Sequence, residues 1–79
     1  MLYLIQSLNY YKIGFTTNIK ERMKSYKTTN PHAVLLGVAE GTEEDELQYH
    51  LKLKEYNHYT EWFELPENIV KDLLSIFTM

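Results

Sequence analysis

The chain has 79 residues, no cysteine, three glycines, two prolines and a formal net charge of −3. That length allows one domain, residues 1–79, whose small core must rest on apolar packing because no disulfide can form. No apolar run approaches the roughly eighteen residues of a membrane helix, and the first residues show no basic stretch followed by an apolar one. The sequence therefore predicts no membrane association and no secretion signal, and it fits a reducing, cytoplasmic setting.

The charge is uneven. Residues 1–32 carry Lys12, Lys20, Arg22, Lys24 and Lys27 against Glu21 alone, whereas residues 33–79 carry ten acids against Lys52, Lys54 and Lys71. The acidic total disfavours strong non-specific binding to nucleic acid. One basic face remains able to meet phosphate.

Residues 2–6 are apolar and aromatic and predict a strand, Ser7-Leu8-Asn9 a turn, and residues 10–15 a second strand, giving a β-hairpin. Gly14 inside the second strand signals a bulge or the close approach of another group. Asn18 as N-cap, with Glu21 three residues on, predicts a helix with Ile19, Met23 and Tyr26 turned to the core. Arg22 flanks that stripe one turn before Tyr26. The helix ends at Thr28-Thr29-Asn30-Pro31.

Residues 33–39 form a short, continuous apolar run that predicts a central strand. Thr42 and Asp45 cap a second helix that is expected to reach about Tyr56, with Leu47 and Leu51 inward and Glu46, Tyr49, His50 and Leu53 on an adjoining face. Residues 57–60 read as a loop and residues 61–65 as a short extended segment carrying the only tryptophan, Trp62. Pro66 suits the first turn of a last helix, whose apolar face is Ile69, Val70, Leu73, Leu74 and Phe77. The expected class is α+β: a small three-stranded antiparallel sheet flanked by helices, in the order ββαβα(β)α.

Several of these residues suit phosphodiester chemistry, which needs an activated water, a cation to balance developing charge and usually a metal ion. Arg22 can pair with a phosphate in bidentate fashion. Glu46 is a hard oxygen ligand for one divalent ion, Mg²⁺ or Mn²⁺. Tyr3, Tyr11 and Lys12 could place a water or take its proton. Each also has a plain structural role open to it, as strand tyrosine, surface cation or helix-dipole partner. His50, one turn from Glu46, is either a second ligand or proton carrier, or a half-buried histidine bonded to a neighbour. Trp62 and Phe63 suit the core or, alternatively, a platform for stacking bases.

In order and spacing these residues resemble the GIY-YIG nuclease superfamily over nearly the whole chain, and most closely its compact single-domain branch with Tyr-Lys-Ile-Gly and Glu-Trp-Phe motifs. The first motif's tyrosine falls on Tyr3 and the second motif's Ile-Gly on Ile13-Gly14. The family arginine falls on Arg22, followed by Tyr26. The metal-binding glutamate falls on Glu46, followed by His50, and the Glu61-Trp62-Phe63 segment also matches. The resemblance implies a metal-dependent DNA endonuclease or nickase with Tyr3, Lys12, Arg22, Tyr26, Glu46 and His50 in the site, DNA (or RNA) as partner, and a second copy or another protein supplying specificity. The small size and stand-alone form suggest a phage or mobile-element setting, in the host cytoplasm.

The sequence departs from the family at two points. The first motif has Met1-Leu2 in place of its glycine, and Lys12 stands where the family carries a tyrosine, with Tyr11 one place earlier. Neighbouring strand residues face opposite ways, so Tyr11 replaces the missing phenol only if the strand bulges. Lys12 facing phosphate, Tyr3 as base, and a site without hydrolysis are all open at this stage. Asn57 is the nearest counterpart of the asparagine found in larger members. The alternative functions are a binding module without catalysis, for nucleic acid or protein, and a small regulator whose acidic second half imitates nucleic acid.

Overall fold

In the computed structural model, which describes residues 1–79, two strands open the fold: β1 (Leu2–Ser7) and β2 (Tyr10–Phe15). They pair antiparallel without interruption, from Leu2↔Phe15 to Ser7↔Tyr10. The turn between them is Leu8-Asn9, and Leu8 takes a left-handed φ of 56°, a conformation that glycine or asparagine adopts far more readily than leucine.

Helix α1 (Ile19–Thr29) starts at Asn18, whose side chain accepts from the Glu21 amide. The reciprocal half of the expected capping box is missing, because the Asn18 amide donates to Thr16 Oγ1 instead. Strand β3 (Ala33–Ala39) follows, then α2 (Glu43–Lys52), where Thr42 and Asp45 form a complete capping box. Beyond Lys52 the backbone tightens into a single 3₁₀ turn at Lys54–Tyr56, so α2 is shorter than the sequence predicts. Strands β4 (Asn57–Tyr59) and β5 (Trp62–Phe63) lead to α3 (Glu67–Ile76), with Pro66 as its N-cap.

The class is α+β, but the expectation of three strands is corrected: the sheet has five, in the order β3-β1-β2-β5-β4, all antiparallel. Residues 57–60, read as a loop, supply most of the extra hairpin. Strand β3 is also at the edge rather than the centre. Its continuous apolar run reflects cover on both faces, and a bridge of two 2.9 Å hydrogen bonds between Val38 and Thr78 shields part of its free edge. That C-terminal strap crosses so close to Gly37 that a Cβ there would lie 2.6 Å from the Phe77 carbonyl group.

The central strand is β1, and its burial explains its composition. Leu4 and Ile5 are fully buried on opposite faces, each contributing about 1.5–3 kcal/mol by leaving water. On one face Tyr3, Ile5 and Ala33 pack under Ile19, Met23 and Tyr26 of α1. On the other, Leu2, Leu4 and Ile13 pack with Leu53, Phe63, Leu73 and Phe77 beside α2 and α3. A register shift between Leu4↔Gly37 and Ile5↔Leu35 leaves Leu36 as the extra residue of a bulge. Leu36 and Ala39 thereby join the second core, while Leu35 and Val38 join the first.

Helix α2 turns a different stripe inward from the one expected. Leu53 is buried and Glu46, Tyr49 and His50 are half-buried, whereas Leu47 and Leu51 are 55% and 57% exposed. In α3 the inward line is Leu73 and Phe77, with Leu74 largely exposed. No helix is long and apolar enough to cross a membrane.

Candidate functional site

The unbroken β1–β2 register sets the faces. Tyr3 lies opposite Gly14 and Ile5 opposite Lys12, so Tyr3, Lys12 and Gly14 share the face covered by α1. Tyr11 and Ile13 point to the other face, where Tyr11 packs against the core. No bulge brings Tyr11 round, and Lys12 alone occupies that position on the α1 face.

Gly14 makes room for the first tyrosine. A Cβ at residue 14 would overlap the Tyr3 ring and hydroxyl, so the phenol can lie across β2 only because no side chain is there. Tyr3 is 1% exposed. Its hydroxyl meets that of Tyr26 at 3.2 Å, with the two rings edge-on and their centroids 6.1 Å apart. Burial is the main reason that the Tyr3 phenol is held well above the ordinary range, reinforced by the Tyr26 bond and only partly offset by Lys12 and Arg22. Burial also raises Tyr26, while the Tyr3 bond and Arg22 pull it down and Glu61 and Glu46 push it up. Both phenols are therefore protonated near neutral pH.

Lys12 is not a free cation. Its Nζ sits 2.9 Å from Glu61 Oε2 and 5.2 Å from the centroid of the Tyr26 ring. The hydrogen bond from Lys12 is the chief cause of the lowered Glu61 pKa, with burial opposing it and His50 and Arg22 adding to it. Arg22, one turn before Tyr26 on α1, is exposed and has no carboxylate within 4.0 Å. It shares a depression of about 260 Å³ with Phe15, Thr16, Thr17, Glu43 and Glu46.

Glu46 and His50 arrive from α2, which lies against β2. His50 Nε2 donates to the Ile13 carbonyl at 2.8 Å. That bond commits Nε2 and leaves Nδ1 as the nitrogen able to accept a proton. His50 packs on Phe63 and lines a separate depression with Glu61. The structure thus gathers Tyr3, Lys12 and Tyr26 directly, puts Arg22 and Glu46 in the lining of one depression, and gives His50 a backbone partner. Asn57 opens β4, and its side chain donates to the Thr60 carbonyl in the β4–β5 turn at 2.6 Å.

Residues 1–78 match the T5orf172 domain. The chain belongs to the T5orf172 domain family. This domain is found in nuclease-related proteins of phages and mobile elements. No curated protein and no solved structure matches the chain.

Within this T5orf172 domain, sequence reasoning missed the ion-pair role of Glu61. The signal was present in the Glu-Trp-Phe segment, but nothing local ties that segment to Lys12. It also missed Glu43, which lines the Arg22 depression beside Glu46. A divalent ion is compatible with this donor set in one form only. No three His, Asp or Glu side chains converge, so Glu46, with Glu43 nearby, would provide the carboxylate, and water and phosphate oxygens would complete the shell. Mg²⁺ is commonly held in that way.

Proposed function

We propose that this domain is a metal-dependent phosphodiesterase of GIY-YIG type that nicks or cuts DNA. The observation that carries the reading is that the unpaired Arg22 lines one open depression with Glu46, one turn before Tyr26, whose hydroxyl meets that of the buried Tyr3. Membership of a nuclease-related family supports it.

Arg22 would clamp a phosphate through its planar fork, with no competing carboxylate to displace. Glu46 would hold Mg²⁺ or Mn²⁺, which when bound supplies Lewis-acid polarisation and an acidified water. Tyr26 would donate to phosphate oxygen as charge develops, and Tyr3 positions it through the 3.2 Å contact. The raised phenol of Tyr3 suits a donor and not a base near neutral pH. Lys12, tied to Glu61, would set the field around Tyr26, and His50, with Nε2 bonded to the Ile13 carbonyl, would accept a proton on Nδ1 through water. Target choice would come from a second copy or a partner protein.

The direct test is nicking of supercoiled DNA with Mg²⁺ or Mn²⁺. Activity is expected to vanish in Arg22→Ala and Glu46→Ala, and cutting that persists in both variants would refute the site. A second reading, a nucleic-acid-binding module without hydrolysis, is favoured by the neutralised Lys12 and the protonated phenols. Salt-dependent binding of DNA without any metal-stimulated cutting would establish it instead.

A further inference from the structure

The same sheet face carries a second group of side chains beyond Lys12. Tyr10 lies two residues before Lys12 on β2, so both project to the same face roughly 7 Å apart. Ser7 is the register partner of Tyr10. His58 stacks on Tyr10 with ring centroids 4.4 Å apart and planes 19° apart. Together Ser7, Tyr10, Asn30, His58, Tyr59 and Trp62 line a depression of about 290 Å³, near the lower end of the range for small-molecule sites.

Four of the six residues are aromatic rings, and Tyr59 is 70% exposed. Ser7 and Asn30, at the end of α1, bond each other at 3.2 and 3.0 Å and present a polar edge. No protein group engages the hydroxyls of Tyr10 and Tyr59 or the indole N–H of Trp62. Thr60, between Tyr59 and Trp62 in sequence, is held at a φ of 52°, rare for a β-branched residue. Asn57 fastens that turn through its bond to the Thr60 carbonyl. Backbone strain of this kind gathers at ligand clamps.

We propose that this depression is a nucleobase site: it takes one unpaired base, stacked on its aromatic rings and bonded at its edge, in a strand whose phosphate a few nucleotides away is held at the Arg22 depression, at the other end of β2 and roughly 17 Å along it. The inference rests on reading that depression as a phosphate site. Stacking on aromatic side chains is how proteins hold single-stranded nucleic acid without regard to sequence. The site makes a single-stranded or locally unpaired strand the substrate, and it explains why an acidic chain needs no extensive basic surface.

Trp62 is the only tryptophan and lines the site, so its fluorescence reports occupancy directly. The experiment titrates the metal-free protein with a short single-stranded oligothymidylate, an abasic strand of equal length and charge, and a blunt duplex. The thymidylate strand is expected to quench Trp62, and Tyr59→Ala and His58→Ala, both at exposed positions, to weaken its binding about 5- to 150-fold each, the range for one lost stacking contact. An oligouridylate arm tells whether RNA or DNA supplies the base. Equal quenching and affinity with the abasic strand, or unchanged affinity in both variants, would overturn the proposal. Nicking that needs Arg22 and Glu46 while Tyr59→Ala and His58→Ala both bind normally would remove the nucleobase site and leave the phosphodiesterase. Base-dependent quenching by a protein that never nicks would do the reverse.

Discussion

The Tyr3 hydroxyl meets the Tyr26 hydroxyl at 3.2 Å, and the Tyr3 ring reaches it by lying across Gly14. The glycine of the second motif and the tyrosine of the first are thus one device. It places a phenol from the central strand beneath the helix that carries Arg22.

Gly14→Ala tests that device. The new Cβ overlaps the Tyr3 ring, which is fully buried. Overpacking of this kind costs about 1–3 kcal/mol. Thermal unfolding should show a fall in Tm of roughly 4–8 °C per kcal/mol for a domain of this size. An unchanged Tm would mean that Tyr3 does not lie across β2.

The paired phenols predict an alkaline weakness. Both tyrosines have folded pKa values above their ordinary 10.0, chiefly because they are buried. The native state therefore favours their protonated forms. That contribution is fully present below pH 10 and is lost as pH rises towards the higher folded values. Denaturant unfolding between pH 9 and 11 should show stability falling in the native protein and falling less in Tyr3→Phe. At neutral pH, Tyr3→Phe is expected to cost about 1 kcal/mol for the lost hydrogen bond.

The Lys12–Glu61 pair predicts the opposite limb. Lys12 holds the Glu61 carboxylate below its ordinary 4.5. Its stabilising effect is present above that ordinary value and lost as pH falls through the lower folded one. Between pH 5 and 3, Glu61→Gln should lose less stability than the native chain. Identical acid profiles would show that the 2.9 Å contact has no energetic consequence in solution.

Leu8 marks a place where the fold can be improved. A non-glycine residue in the left-handed region costs on the order of 1–3 kcal/mol, whereas glycine would lose roughly 0.5–1 kcal/mol to backbone entropy. Asparagine tolerates the conformation without that loss, so Leu8→Asn should raise stability by about 1 kcal/mol, and by more than Leu8→Gly. A fall in Tm with asparagine would argue that the exposed Leu8 side chain matters more than its backbone.

Local signals accounted for the hairpin, the caps at Asn18 and Thr42, and the close approach at Gly14. Each is written in residues near one another in the chain. The β4–β5 hairpin was not legible because strands of three and two residues carry no periodicity. Their extended form depends on the distant pairing of Tyr11 with Phe63 and on the Asn57 side chain. The inward stripe of α2 was misread for a related reason. Leu47 and Leu51 look like core residues, but the helix meets β2 through His50 and the Ile13 carbonyl, which turns both leucines to the surface. Lys12 stood out from its position in the motif, but its neutralisation by Glu61 depends on long-range folding alone.

The central claim is that Arg22 and Glu46 line one phosphate-binding depression. It is tested most directly by Mg²⁺- or Mn²⁺-dependent nicking of supercoiled DNA by the native chain, Arg22→Ala and Glu46→Ala. Loss of one charge-stabilising group at such a site lowers the rate about 10²- to 10³-fold, and a loss of at least that size is expected in each variant, with the fold intact by circular dichroism. Cutting at the native rate in both variants would contradict the account.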